Sequence, residues 1–231
     1  MPLLPWDDID TVLLDMDGTL LDLHFDNHFW LTHLPQRYAQ HHGISTRQAE
    51  DELLPLFRQH AGQLNWYCTD FWSRELKLSV RDLKREVAHL IALRPDADTF
   101  LAAIRAAGKR VALITNAHRD SLSLKLERIE LAPFFDRLIS SHDYGFPKED
   151  QQFWFALQQD FAFTPARTLF IDDSQVAHLE DIMWDRGYLD SSQMAGAFQW
   201  MNSNDLIWSR LLKDYLLGER TPFSDLMAWN A

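Results

Sequence analysis

Four short apolar segments along the chain are each typical of a buried β-strand, namely Thr11–Leu14, Arg110–Ile114, Arg137–Ser140 and Thr168–Ile171. Three of the four are almost continuously apolar, as expected of strands that are covered on both faces. Helical patterns precede the second, third and fourth strands, over about Asp96–Ala107, Asp120–Glu130 and Glu149–Asp160. This alternation indicates βαβ units around a parallel sheet, so we predict an α/β protein.

The long segment between the first and second strands is predicted to be helical throughout. Its amphipathic stretches are Asp26–Gln40, Thr46–His60, Trp66–Leu76 and Val80–Ala92. Ser45 and Gln48 have the spacing of a capping box, and Pro55 predicts a kink or a split in the second helix. No stretch here fits a strand, so we predict an inserted helical domain over residues 23–93 on a core formed by residues 1–22 and 94–231.

The residues after Ser174 follow no clear pattern. Val176–Trp184 is compatible with a helix, but no convincing strand follows Gly187, and four tryptophans are spread over residues 184–229. A helical extension and the product of a shifted reading frame both explain this tail. A fifth strand is therefore not predicted.

Composition and charge narrow the classes of partner. The chain has 231 residues, 46% hydrophobic and 24% charged, with a formal net charge of −12. Such a surface repels nucleic-acid polymers but not a small phosphorylated substrate, because a bound cation can reverse the local sign. The single cysteine, Cys68, permits no intramolecular disulfide, and the N-terminus shows no signal peptide or membrane segment. We therefore expect a cytoplasmic protein without a membrane partner, and a monomer.

Two carboxylates, Asp15 and Asp17, come directly after the first strand and are followed by Gly18. Because the C-terminal ends of parallel strands face the ligand crevice, both side chains can point into one site, and the glycine allows a sharp turn. A solvated turn is the main alternative for so short a motif. A calcium-binding loop does not fit, because Leu20 stands where such a loop needs glycine.

Asp172 and Asp173 follow the fourth strand in the same way. Close carboxylates cannot all be ionised without raised pKa values or a bound cation. Oxygen ligands suit Mg²⁺, which commonly takes one or two carboxylates together with a phosphate. The sequence therefore predicts a Mg²⁺ site at this edge of the sheet, although Asp173 or Ser174 could instead cap the next helix.

The remaining polar candidates also lie at strand or helix ends. Thr115 and Asn116 end the second strand, where a hydroxyl and backbone N–H groups can bind phosphate oxygens; for Thr115 in isolation, helix capping is the stronger interpretation. Lys148 is predicted to open a helix, where its charge opposes the helix dipole and favours an anionic partner. A plain surface lysine is the alternative. The combination of these polar residues at strand and helix ends indicates one shared site more specifically than any single residue does.

With these residues in this order, the chain resembles a haloacid dehalogenase superfamily phosphatase that has a helical cap. Asp15 and Asp17 match the first motif of that family, Thr115 the second, Lys148 the third, and Asp172 with Asp173 the fourth. The resemblance covers about Asp8 to Ser174 and implies a Rossmann-like parallel-sheet core with an inserted cap domain. Three stretches are more narrowly similar to the enterobacterial GMP/IMP nucleotidases: Thr11–Asp22, Leu64–Ser73 and Gly145–Asp150.

This resemblance implies a Mg²⁺-dependent hydrolase that acts on a nucleoside monophosphate. Asp15 would attack phosphorus and form an aspartyl-phosphate, and Asp17 would act as general acid and then as general base. Lys148, Thr115 and Asn116 would hold the phosphoryl group. The metal ligands would be the side chains of Asp15 and Asp173 and the backbone carbonyl of Asp17, with Asp172 as an outer ligand.

Other functions stay open at this point. A phosphatase or phosphomutase acting on sugar phosphates would keep the same nucleophile, and a non-catalytic relative could bind a phosphorylated ligand. His24 and His28 are four residues apart, but zinc is disfavoured because no third ligand follows at motif spacing. We interpret Cys68 and the neighbouring aromatic residues mainly as core, with Trp66 and Tyr67 also candidates to stack on a purine.

Overall fold

A four-stranded, all-parallel sheet forms the centre of the molecule in the computed structural model, which describes residues 6–172. The strands are β1 (Thr11–Leu14), β2 (Arg110–Thr115), β3 (Arg137–Ser140) and β4 (Thr168–Ile171), in the spatial order β3-β2-β1-β4. The predicted α/β class is confirmed. Asp173 and the tail over residues 174–231 lie outside the described residues, as does the predicted helix Val176–Trp184.

Helices cover both faces of the sheet. They are α7 (Ala97–Ala106), α8 (Arg119–Arg128) and α9 (Gln151–Asp160). Successive strand residues point to opposite faces, so Val12 and Leu14 pack with the apolar side chains of α7 and α8, whereas Leu13 packs with those of α9. This two-sided burial explains why the strands read as continuous apolar runs.

The region between β1 and β2 is helical, as predicted, and has a core of its own. Its helices are α1 (His24–His28), α2 (Leu34–His42), α3 (Thr46–His60), α4 (Leu64–Tyr67), α5 (Thr69–Leu76) and α6 (Val80–Glu86), with a π-helical segment over Phe29–His33 and a 3₁₀ turn over Ala88–Leu90. Trp72 and Phe29 are completely buried in that core. We call this region the cap.

The chain enters and leaves the cap along two adjacent segments. The backbone N–H of Asp22 donates to the carbonyl of Ala92 at 3.1 Å, and the N–H of Arg94 donates to the carbonyl of Leu20 at 2.8 Å. A short connection of this kind allows the cap to be inserted without disturbing the sheet. Among the described residues, no helix is long and apolar enough to cross a membrane.

Three local predictions are corrected by the structure. Of the kink or split predicted at Pro55, the split does not occur: α3 runs from Thr46 to His60, is capped at Ser45 by the predicted capping box and is buried along Leu53 and Phe57. The predicted helix over Trp66–Leu76 is interrupted at Cys68, whose extended backbone ends α4 and whose sulfur accepts a hydrogen bond from the N–H of Phe71. Lys148 does not open α9, which begins at Gln151 behind the N-cap Asp150.

Candidate active site

Asp15 lies at the carboxyl end of the central strand β1, where the chain turns into the cap. Its backbone N–H donates to the carbonyl of Ile171 at 2.9 Å, so the pairing of β1 with β4 continues as far as this residue. The turn that follows places Gly18 at a φ of 83°, a left-handed conformation that glycine adopts without steric cost. The turn therefore follows Asp15 directly and separates it from Asp17, whose carboxylate contacts Lys125 of α8.

Lys148 connects two buried carboxylates at the edge of the sheet. Its Nζ lies 2.5 Å from Asp15 Oδ1 and 2.5 Å from Asp172 Oδ2, and the three side chains are 6%, 7% and 2% exposed. Burial alone would lower the pKa of Lys148, but the two carboxylates outweigh it and raise that pKa well above its usual value. The lysine thus stays charged and partly neutralises both acids.

Two side chains hold the backbone of Lys148 in place. The N–H of Lys148 donates to Asn116 Oδ1 at 2.8 Å, and its carbonyl accepts a hydrogen bond from Trp154 Nε1 at 2.8 Å. Asn116 Nδ2 also donates to Glu149, at 2.9 Å from Oε2. Asn116, at the end of β2, therefore positions the lysine. Its amide side chain is already hydrogen-bonded to Lys148 and Glu149.

Thr115 is the last residue of β2 and is buried beside this group. Its Oγ1 accepts a hydrogen bond from the N–H of Ala117 at 3.0 Å. The hydroxyl hydrogen can therefore be donated to a ligand in the adjacent cavity. A bound phosphoryl oxygen is the kind of acceptor that the predicted role requires.

Asp17 is held by a charged network that the sequence did not predict. Lys125 on α8 places its Nζ 2.5 Å from Asp17 Oδ1 and 2.6 Å from Asp26 Oδ2. Lys84 on α6 reaches the other oxygen of Asp26 at 3.1 Å. The Lys125 and Lys84 side chains are 2% and 6% exposed, and those of Asp17 and Asp26 are 23% and 20% exposed, so two buried cations meet two partly buried carboxylates between core and cap.

Burial dominates the acid–base properties of this network. It raises the pKa of Asp17, and the negative charge of Asp26 adds to the rise although Lys125 opposes it. It would also raise the pKa of Asp26, but Lys125 and Lys84 outweigh it and hold that pKa well below its usual range. The two carboxylates thus have opposite tendencies, and Asp17 is the one suited to carry a proton.

A cavity of about 250 Å³ lies over these residues, between the sheet edge and the cap. Its floor is polar and its roof is aromatic, with Trp30, Trp66 and Tyr67 facing the site. The indoles of Trp30 and Trp66 are stacked at 5.6 Å between ring centroids. The aromatic residues near Cys68 therefore have two roles. Trp72 packs in the core, as the sequence predicted, whereas Trp66 and Tyr67 line the cavity.

The structure brings together all the predicted site residues that it describes. The cavity is lined by Asp15, Asp17, Thr115, Asn116, Lys148 and Asp172. Lys125, Asp26, Lys84, Glu149 and Trp30 also line it and were missed, whereas Trp66 and Tyr67 had been named as candidates to stack on a purine. For Lys125 a signal was present, because it follows Leu122 by three residues and so lies on the apolar face of α8, where a lysine needs a charged partner.

The donor set at this edge fits Mg²⁺. Asp15 and Asp172 are buried carboxylates that share one ammonium group, and no histidine or cysteine is among the described residues that line the cavity. Hard oxygen ligands of this type are those that Mg²⁺ prefers.

Comparisons with known proteins agree with this geometry. The family model described as haloacid dehalogenase-like hydrolase matches residues 9–180. The chain is 44% identical over 170 residues to the GMP/IMP nucleotidase YrfG of Escherichia coli, covering 74% of this chain and 77% of that one.

Two solved structures share the fold. A haloacid dehalogenase phosphatase from Thermococcus onnurineus has a TM-score of 0.63 and 23% identity, over 72% of this chain and 78% of that one. A family enzyme from Bacteroides thetaiotaomicron, an aspartate-to-alanine mutant in complex with magnesium and inorganic phosphate, has a TM-score of 0.54 and 15% identity, over 77% and 90% of the two chains. The motif order, the parallel sheet and these matches together show that the chain belongs to the haloacid dehalogenase-like hydrolases.

Proposed function

We propose that this hydrolase is a Mg²⁺-dependent purine 5′-nucleotidase that acts through an aspartyl-phosphate on Asp15. The observation that carries the proposal is the 44% identity to a GMP/IMP nucleotidase. The geometry supports it, because a phosphate site on the floor of the cavity faces an aromatic roof. We also propose that residues 23–93 form the cap domain on a core of residues 1–22 and 94–231.

The metal would be held by oxygen ligands at the sheet edge. Asp15 and Asp173 would bind through their side chains, Asp17 through its backbone carbonyl, and Asp172 as an outer ligand. When bound, Mg²⁺ would neutralise the phosphate oxygens and so reduce their repulsion of a carboxylate nucleophile.

Asp15 would attack phosphorus with the oxygen that does not contact Lys148. The ammonium group of Lys148 is 2.5 Å from Asp15 Oδ1 and would orient the carboxylate and neutralise charge on the transferring group. The hydroxyl of Thr115 would donate to a phosphoryl oxygen, and the backbone N–H groups near Asn116 would bind the same group. Positioning of this kind supplies most of the catalysis in phosphoryl transfer.

Asp17 would move the protons of both steps. In the first step the bond between phosphorus and the ribose oxygen breaks, and Asp17 gives its proton to that oxygen as the nucleoside leaves. In the second, Asp17 takes a proton from water, which attacks the aspartyl-phosphate and releases inorganic phosphate. Lys125, 2.5 Å from Asp17 Oδ1, would keep this carboxyl group in position through both.

The cap would select the leaving group. A purine is flat and apolar on its faces, and Trp66 and Tyr67 lie where it could stack, worth roughly 1–3 kcal/mol per base. GMP and IMP share the 6-oxo group that AMP lacks, so a polar pocket can discriminate sharply between them. The cavity of about 250 Å³ lies below the range of about 300–1,000 Å³ for small-molecule sites. Opening of the cap, or movement of its aromatic side chains, would enlarge the cavity to admit a nucleotide.

Steady-state phosphate release from GMP, IMP, AMP, UMP and glucose 6-phosphate tests the proposal. We expect the highest kcat/KM for GMP and IMP in the presence of Mg²⁺. A higher kcat/KM for a sugar phosphate would contradict the nucleotidase assignment, and a rearranged phosphate ester without net phosphate release would indicate a phosphomutase. A chain that binds nucleotides without turnover would be a non-catalytic relative.

A further inference from the structure

Three metal-binding side chains from distant parts of the chain meet outside the active site. Cys68, His118 and His142 each offer a ligand atom, and these atoms all lie within 4.8 Å of one another. Cys68 belongs to the cap, between α4 and α5, whereas the two histidines follow β2 and β3 in the core. The group therefore spans the contact between the two parts.

His142 has one ring nitrogen that is available to a metal. Its Nε2 is buried and has no hydrogen-bond partner among the described residues, whereas the ring also bonds to the backbone of Asn116. An imidazole fixed through one nitrogen, with the other one available, is the arrangement found at metal sites.

The other two side chains are also fixed in place. The Cys68 sulfur accepts a hydrogen bond from the N–H of Phe71, and His118 Nδ1 lies 2.7 Å from the Thr69 hydroxyl. The carboxylate of Asp70 is 3.8 Å from His118 Nε2, so a fourth ligand is nearby. Around tetrahedral zinc two nitrogen ligands are about 3.3 Å apart, and a nitrogen and a sulfur about 3.6 Å, from the bond lengths. Side-chain rotations that close at most about 1.5 Å would thus complete a site.

We propose that Cys68, His118 and His142 form a Zn²⁺ site, separate from the Mg²⁺ site, and that the bound ion ties the cap to the core. A thiolate with two imidazoles suits Zn²⁺ and disfavours Mg²⁺, which prefers oxygen ligands. The two sites therefore select different ions by ligand chemistry.

The position of the site gives the ion a means to restrain the active site. Cys68 follows the cavity residue Tyr67, and His118 follows the cavity residue Ala117. An ion that binds both segments would hold the aromatic roof against the sheet edge. If the cap must open to admit substrate, which rests on the proposed function, Zn²⁺ would slow turnover by keeping it closed.

Binding is tested directly on the full chain with Co²⁺ as a spectroscopic probe, in excess Mg²⁺ so that the catalytic site is occupied. Cys68 is the only cysteine, so a thiolate-to-cobalt charge-transfer band reports this site alone. We expect one Co²⁺ per chain with that band, displaced by one equivalent of Zn²⁺. Both Cys68→Ser and His142→Asn should lose the tight site, whereas His89→Asn, at an exposed cap histidine, should retain it.

The proposed site is overturned if the wild-type chain shows no charge-transfer band. It is also overturned if Zn²⁺ binds to Cys68→Ser and His142→Asn as tightly as to the wild type. Neither the Co²⁺ band nor the Zn²⁺ binding depends on turnover, so a failed nucleotidase assay leaves the proposed Zn²⁺ site intact. The restraint is tested separately: one equivalent of Zn²⁺ should lower the kcat for GMP at least several-fold in the wild type and leave Cys68→Ser unaffected. Zn²⁺ bound at the site with unchanged kcat would overturn the restraint.

Discussion

Replacement of Lys125 by methionine tests the charged network that holds Asp17. The lysine is 2% exposed and contacts Asp17 and Asp26 at 2.5 and 2.6 Å. Methionine keeps much of the buried stem but removes the charge. Removing one partner of a fully buried ion pair costs about 3–5 kcal/mol; the cost here should lie below that, because Asp26 keeps its contact with Lys84 and Asp17 is partly exposed. Since whole domains are stable by about 5–15 kcal/mol, we expect a folded but clearly destabilised variant.

The effect on catalysis should exceed that of destabilisation alone. Without Lys125, Asp17 loses the contact that fixes Oδ1, and a misplacement on the order of 1 Å can cost about 10²-fold in rate. We therefore expect kcat/KM for GMP to fall about 10²-fold. With p-nitrophenyl phosphate the fall should be smaller, because p-nitrophenolate leaves without needing a proton from Asp17.

The assay compares Lys125→Met with Lys109→Met as a matched control. Lys109 is partly buried and donates to the carbonyls of Trp6 and Ile9 at 2.7 and 2.8 Å, but it is not among the residues that line the cavity. The control should lose stability in urea unfolding and keep its kcat. If folded Lys125→Met has the wild-type kcat/KM, or loses activity equally on both substrates, the positioning role is wrong.

The remaining predictions concern the acid, the metal and the pH dependence of stability. Asp17→Asn should slow GMP hydrolysis about 10²–10⁴-fold and affect p-nitrophenyl phosphate less in burst kinetics; equal slowing would exclude the acid role. EDTA should abolish activity and Mg²⁺ restore it, and Asp173→Ala should raise the Mg²⁺ concentration needed for half-maximal rate; full activity in EDTA would rule the metal out. Because the folded-state pKa of Asp26 lies below its unfolded value of 3.8, its stabilisation is present above that pH and is lost as pH falls toward the folded value. Urea unfolding between about pH 5 and pH 2 should therefore depend less on pH in Asp26→Asn than in the wild type, and equal slopes would contradict this.

The sheet and most of the site were predictable because their signals are local. A strand buried on both faces is a continuous apolar run, and Asp15 stands at the end of one. The parallel sheet then brings the other strand ends to the same edge, so Thr115 and Asp172 could be placed without any knowledge of contacts.

The rest depends on contacts between residues far apart in the chain. Lys125 and Asp17 are 108 residues apart, and no spacing rule connects a helix after β2 with a turn after β1. The same holds for Cys68, which packing alone brings to His118 and His142. Trp66 and Trp72 share one aromatic stretch, and only the break at Cys68 separates a cavity residue from a core residue.

The most direct test of the central claim is chemical trapping of the intermediate on Asp15. Full-length enzyme is mixed with GMP and Mg²⁺, quenched in acid and reduced with borohydride, which converts an aspartyl-phosphate to homoserine. Peptide mass spectrometry should find homoserine at position 15 in the wild type, more of it in Asp17→Asn if water attack is slowed, and none in Asp15→Asn. Turnover without any label at position 15, or a label on another carboxylate, would contradict the assignment of Asp15 as the nucleophile.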